Sequence, residues 1–449
     1  MKRKIYDRLL EWKEKDKGST AVMIEGARRI GKSYIAEEFA RNEYESYIII
    51  DFSKAPEEIS ELFDHFLHDL DALFDRLQLF YDITLVNRKS AVIFDEVQFC
   101  PRARASIKHL VADGRYDYIE TGSLISIKRN VKDILIPSEE VCLEMYPMDF
   151  EEFLWASDND RLMPFIKKQF EKKKPMGATF HRQALDYFRQ YMIVGGMPQA
   201  VKKFIESHDY DEADRIKRQI LSLYRNDIRK YADGEELRVV SIFDEIPSQL
   251  QRHEKKFRLS ALSPHARMRQ YSDAFFWLMD AKIINCCFNS TAPNIGLRLN
   301  EERTTMKCYM GDTGLLISMA FDEHGEEIKE LYRKLVFGKL EVNEGMLTEN
   351  IVAQMLTAAG HKLYFFSRYD EDAEDRMEID FLIAKSKLTN RHNISPIEVK
   401  SGEKYTFTSL RKLKAKYGQY LSTSYLIHDK DLRTEDDITF LPIYMTPLL

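Results

Sequence analysis

The sequence predicts an α/β protein in successive parts: an N-terminal parallel-sheet domain, a helical lid, a winged-helix-like middle and a C-terminal α/β domain. Three observations predict it. From Thr20 short apolar runs alternate with helical stretches, the order that builds a mostly parallel sheet flanked by helices. Residues 157–240 are polar with helical periodicity, and from Lys339 a helix is followed by further strand-like runs. At 449 residues the chain exceeds one ordinary core, since domains run to about 100–200 residues. The expected boundaries are 1–156, 157–240, 241–325 and 336–449.

In the first part, strands are expected at 20–25, 46–51, 90–95, 116–121 and 140–145, and helices at 33–42, 56–86 and 102–112. After Pro147 the run MDFEEFLWA reads as a helix with Asp149 as its N-cap. In the lid, KKQFEKKKP reads as a solvated helix face, while Gly195, Gly196 and Pro198 interrupt an apolar stretch and force a tight turn. From 241 to 320 come short helices and strand-like segments near 282–289 and 306–311. That order suits a winged helix, and a small helical bundle equally. The last part reads as a helix at 344–359 and strands at 362–367, 378–384 and 395–400, with LPIYMTPLL as a terminal strand.

Hydrophobic residues at 44% and charged residues at 31% allow a real core beneath a polar surface. The formal charge of −6 gives no global pull toward nucleic acid, so any such contact needs local basic patches. Five cysteines without a C-x-x-C pair fit a reducing, cytoplasmic setting. No run approaches the roughly 18 apolar residues of a membrane span, so no membrane association is expected.

Residues 26–33 read Gly26, Ala27, Arg28, Arg29, Ile30, Gly31, Lys32, Ser33. They match G-x-x-x-x-G-K-[ST] between a strand and a helix, the setting in which backbone N–H groups cradle phosphates. Lys32 would reach the β- and γ-oxygens of ATP, and Ser33 would place its hydroxyl on Mg²⁺. Arg28 and Arg29 either touch phosphate or pair with a nearby acid. The strand SAVIFDE ends in Asp95 and Glu96. Ligands of open α/β sheets bind at that carboxyl edge. Asp95 would hold Mg²⁺ through water, and Glu96 would act as general base toward the attacking water. After the next strand, Thr121 or Ser123 in YIETGS would sense the γ-phosphate or the water.

The string GARRIGKS, then FDEVQ with Pro101 beyond it, TGS, YPMDFEEF, GGMP, YRNDIRK and KCYMGDTGLL together resemble a prokaryotic family. Its members are AAA+-type P-loop ATPases with a C-terminal nuclease-like domain of unknown function. The resemblance implies a P-loop NTPase sheet domain and ATP hydrolysis. Two departures stand out. Ala27 and Arg29 replace a proline and a glutamine common in relatives, and IPSEEVCLEMYPMDFEEF lacks the Gly-Arg pair that many carry. A phosphate-contacting arginine would then come from Arg225, Arg229 or a neighbouring subunit.

Residues 251–270 carry Arg252, Lys255, Lys256, Arg258, Arg267 and Arg269 against Glu254, a local excess that suits either DNA phosphates or docking on another domain. Phe275, Phe276 and Trp277 read as core rather than base-stacking residues. In the last part Glu349 lies on a helix, Asp380 on a strand, and Glu398 and Lys400 two apart on one strand face. The arrangement resembles the PD-(D/E)xK, restriction-endonuclease-like, superfamily. The resemblance implies a second Mg²⁺ or Mn²⁺ on Asp380 and Glu398, with Glu349 as a further ligand and Lys400 orienting the water. Two functions fit: ATP hydrolysis coupled to action on DNA, with a nuclease or DNA-holding tail, or an ATP-controlled switch whose tail docks a protein partner. Self-association is a third expectation.

Overall fold

The computed structural model describes residues 1–122, 138–232, 234–252, 255–294, 296–321, 330, 332, 334, 344–368, 376–384, 393–402 and 406–449. The chain divides into two compact units, Met1–Tyr146 and Pro147–Leu449.

In the first unit, β1 (Ala21–Glu25), β2 (Ser46–Asp51), β3 (Ser90–Asp95), β4 (Asp117–Gly122) and β5 (Glu140–Glu144) form a sheet in the order β2-β3-β4-β1-β5. Every pairing is parallel. A parallel strand is covered on both faces and reads as a continuous apolar run, which is why SAVIFD is buried throughout. The register aligns the carboxyl ends, pairing Asp51 with Asp95 and Glu25 with Gly122. The stretch expected as one helix over 56–86 is two, Glu57–His65 and Leu70–Tyr81. The second begins anew because Asp69 accepts from the Ala72 N–H at 3.1 Å. Between these helices and the sheet, Phe52, Phe63 and Phe94 meet edge to face.

The second unit opens as expected, with Asp149 and Glu152 forming a reciprocal capping box on helix Phe150–Ala156. Helices Leu162–Glu171, Ala178–Val194, Pro198–Ser207, Tyr210–Tyr231, Glu236–Gln251 and Met268–Asp280 follow. Eight strands come next: β6 (Ile284–Ser290), β7 (Glu301–Met310), β8 (Tyr364–Arg368), β9 (Met377–Ala384), β10 (Ile394–Val399), β11 (Ser424–His428), β12 (Arg433–Glu435) and β13 (Ile438–Pro442). They make one sheet, in the order β12-β13-β11-β10-β9-β8-β6-β7.

The strands expected as part of a separate winged-helix segment belong to the tail's sheet, because β6 runs parallel to β8 and pairs Phe288 with Tyr364. The boundary placed between 325 and 336 therefore falls inside a single unit. The physical reason is exposure, since a lone hairpin is marginal and this one carries buried faces that need a larger sheet. The run LPIYMTPLL, expected as a terminal strand, is instead mostly a 3₁₀ turn, Ile443–Leu448, and β13 ends at Pro442.

The GGMP turn has a specific partner. Gly196 donates its N–H to Asp312 Oδ2 at 2.6 Å, and a Cβ on Gly196 would stand 2.2 Å from the Met148 carbonyl oxygen. Asp312 also caps helix Thr313–Ala320, accepting from Leu315 N at 2.9 Å. Two motifs far apart in sequence are thus one buried junction.

Candidate functional site

Between β1 and helix Lys32–Glu43 the chain turns through left-handed backbone at Arg29 (φ 70°) and Gly31 (φ 93°). Gly26 tolerates no side chain, because a Cβ there would lie 2.2 Å from the Met145 carbonyl oxygen. Arg3, buried, donates to the carbonyls of Ile30 at 2.8 Å and Tyr146 at 2.7 Å, tying the loop to the chain leaving β5. Lys32 Nζ folds back onto the carbonyls of Gly26 at 3.0 Å and Ala27 at 2.9 Å. Burial pulls its pKa down to about 8, against the opposing pull of Glu96 and Asp95.

Across the sheet edge, Asp95 Oδ1 accepts from Ser33 Oγ at 2.6 Å and also from Thr121 Oγ1. The Glu96 N–H reaches Thr121 Oγ1 at 3.4 Å. Glu96 itself takes left-handed backbone (φ 52°), and its carboxylate accepts from the Gln98 carboxamide. Loop, lysine, hydroxyl and two carboxylates thus lie together at the carboxyl edge of the sheet. The donor set fits Mg-ATP: Ser33 and Asp95 offer hard oxygens in contact, and Lys32 Nζ donates to two backbone carbonyls. Arg28 and Arg29 are exposed. Ser123 lies outside the described residues.

In the second unit, Glu349 on helix Glu344–Ala358, Asp380 on β9, Glu398 on β10 and Lys400 just beyond it also converge. Asp380 Oδ2 accepts from the Val399 N–H at 2.9 Å, and Lys400 Nζ stands 3.2 Å from Glu398 Oε2. At the centre is a group the sequence reading did not place there. Lys307 Nζ, from β7, lies 3.1 Å from Glu378, 3.5 Å from Asp380 and 3.9 Å from Glu349. Lys255 Nζ meets Glu349 Oε1 at 2.6 Å, and Tyr309 donates to Glu349 Oε2 at 2.8 Å.

The charges respond accordingly. Burial raises the Glu349 pKa, but Lys307 and Lys255 outweigh it and bring the group down to about 2. Burial, with Asp380 adding to it, pushes Glu398 up to about 7 against Lys400. Burial opposes the charge on Lys307, yet the surrounding carboxylates hold its pKa above the ordinary value. Among the described residues no group of three or more His, Cys, Asp or Glu side chains is arranged to hold a metal ion. The expectation of a second Mg²⁺ or Mn²⁺ on Glu349, Asp380 and Glu398 is thereby unsupported. Lysine ammonium groups face the oxygens that would have faced the ion.

Residues 18–154 match the AAA domain family. The N-terminal unit is an ATPase-type P-loop domain. Residues 185–324 match a domain of unknown function, DUF8612, and residues 344–446 another, DUF4143. None of the curated proteins resembles the chain in sequence. Among solved structures, a Signal Transduction ATPase with Numerous Domains (STAND) protein with a tetratricopeptide repeat sensor, from Pyrococcus horikoshii, aligns at 13% identity and a TM-score of 0.27. The alignment covers 80% of this chain and 48% of that one, so the chain spans about half its length.

Around the AAA domain's site, sequence reasoning missed Arg3 and Gln98. Arg3 gave no signal beyond its charge, whereas Gln98 stands two residues past Glu96 in FDEVQ and was open to notice. Lys307 stands within KCYMGDTGLL and Lys255 within the basic run, and neither segment signals a carboxylate partner. That run is partly spent inside the fold, since Lys256 Nζ donates to Ser367 Oγ at 2.8 Å and Arg252 lies 3.7 Å from Glu245. Arg267 and Arg269 are exposed, Phe275 is buried as expected, and Phe276 is 48% exposed, against its reading as core. Arg225 is engaged with Asp244 at 2.8 Å.

Proposed function

We propose that the protein binds Mg-ATP at the loop 26–33 and hydrolyses it, with turnover controlling what the second unit does. The observation that carries this reading is the contact of Ser33 and Thr121 with one Asp95 carboxylate, beside Glu96 and a buried Lys32. Bound Mg-ATP supplies the scissile phosphoanhydride and neutralises charge on its oxygens. Lys32 leaves the Gly26 and Ala27 carbonyls for the β- and γ-oxygens, where Arg28 and Arg29 add positive potential from the loop. Ser33 and Asp95 would hold the metal, which would draw charge off the phosphate oxygens. Glu96 takes the proton of the attacking water while Gln98 fixes its carboxylate, and Thr121 or Ser123 reports on the γ-phosphate. A neighbouring copy supplies any further arginine, so self-association accompanies activity. The five cysteines are free, which suits a reducing setting such as the cytoplasm.

Two readings of the output remain distinct. In the first, hydrolysis drives action on DNA through Arg267, Arg269 and the nuclease-like tail. In the second, the chain is a nucleotide-controlled switch whose tail docks a protein partner without cutting. The inward turn of Lys255 onto Glu349 and the lysine-filled acidic cluster favour the second. ATPase rate measured with and without duplex and single-stranded DNA separates them. Stimulation lost in Arg267→Ala/Arg269→Ala restores the first, and an unchanged rate supports the switch. Metal-dependent cleavage of DNA that Asp380→Ala abolishes would refute a non-cutting tail.

A further inference from the structure

The carboxylates of the tail gather in one buried place, and their oxygens face protein donors. Glu349 Oε1 meets Lys255 Nζ, and Glu349 Oε2 accepts from Tyr309. Asp380 Oδ2 accepts from the Val399 N–H, and Asp380 Oδ1 faces Lys307. Lys307 is 1% exposed and touches three carboxylates carried on two elements, the helix Glu344–Ala358 and β9. It arrives from β7, in the middle segment, where the Lys256–Lys307 bridge and the Phe257 N–H to Met306 carbonyl bond (2.8 Å) hold the chain bearing Lys255 alongside. Carboxylates gathered away from water repel one another unless a cation lies among them.

We propose that the Lys307 ammonium is the resident cation of this cluster, occupying the place of a divalent ion, so that the site binds no Mg²⁺ or Mn²⁺ while Lys307 is present. A lysine ammonium and a divalent ion cannot share the position. The ammonium keeps its oxygens more than 3 Å away, whereas Mg²⁺ draws oxygens to about 2.0–2.1 Å, and two buried cations in contact repel. The cluster is latent rather than absent: replacing the lysine by an apolar side chain of similar length leaves Glu378 and Asp380 without the Lys307 ammonium, and Glu349 with Lys255. This inference stands apart from the ATPase reading, since it concerns the second unit without nucleotide.

The test titrates Mn²⁺ into the full chain without ATP, following free ion by electron paramagnetic resonance. The comparison is between wild type, Asp380→Asn, Lys307→Met and Lys307→Met/Asp380→Asn. Wild type and Asp380→Asn should bind alike, with no site that depends on Asp380. Lys307→Met should gain one Mn²⁺ per chain, and the double variant should lose it. Wild-type binding that Asp380→Asn removes would overturn the proposal whatever the lysine variant does, and so would a folded Lys307→Met that gains nothing. If Lys307→Met does not fold, Lys307→Met/Glu349→Gln, which deletes one charge of each sign, should fold. Failure of that variant too would show Lys307 acting by packing instead of charge, and would equally overturn the assignment.

Discussion

ATP affinity should depend on pH through Lys32. In the nucleotide-free protein burial sets its pKa near 8, with Glu96 and Asp95 pulling upward less strongly. Phosphate oxygens would favour the charged ammonium, so the bound-state pKa lies higher and binding takes up a proton. The sign follows. Below pH 8 the ammonium is already present and Lys32 adds no pH dependence; above it each bound nucleotide must first protonate the lysine, and affinity falls. One pKa unit corresponds to about 1.4 kcal/mol, so affinity should weaken about tenfold between pH 7.5 and pH 9. Calorimetric titration in two buffers of different ionisation enthalpy measures both the constant and the proton uptake. Lys32→Arg, whose guanidinium stays charged throughout, should flatten the profile. An affinity constant to pH 9.5 in wild type, or a slope retained in Lys32→Arg, would refute the assignment of the loop's cation.

Asp312→Ala should destabilise the second unit by about 2–6 kcal/mol, because the Gly196 and Leu315 N–H groups lose a buried acceptor worth roughly 1–3 kcal/mol each when left unpaired. Urea unfolding monitored on that unit's transition checks it. A fragment beginning at residue 344 should fail to fold cooperatively, since it lacks Lys307 and Tyr309 and the β6–β8 pairing, and circular dichroism with thermal unfolding decides this. If DNA is bound at all, Arg267→Ala/Arg269→Ala should lower the affinity and flatten its dependence on salt, as read by fluorescence anisotropy from 50 to about 200 mM salt.

The first unit was largely legible in sequence because its strands are buried on both faces and its loop motif is local. SAVIFDE, TAVMIE and the GARRIGKS turn carry their own boundaries. The break at Phe66–Asp69 was hidden because apolar residues continue through HFLHDL, while the cap that restarts the helix needs only one aspartate. In the second unit the elements were legible and their partners were not. Periodicity marks β6 and β7 as strands, yet nothing in it says that β6 pairs with β8 across the intervening chain. Lys307 shows the same limit. Within the apolar run MKCYM the lysine gives no direction, and its meaning comes from Glu349, Glu378 and Asp380, which the fold brings to it. The carboxylate set was readable as a spacing; the cation that fills it was not.

Turnover of Mg-ATP with Glu96 as base is read by steady-state ATPase assays of wild type and Glu96→Gln, paired with ATP binding in each. Glu96→Gln should bind ATP as wild type does and lose turnover by about 10²-fold or more, the scale of a general base. Wild-type protein without Mg²⁺-dependent hydrolysis, or Glu96→Gln with an unchanged kcat, would contradict it.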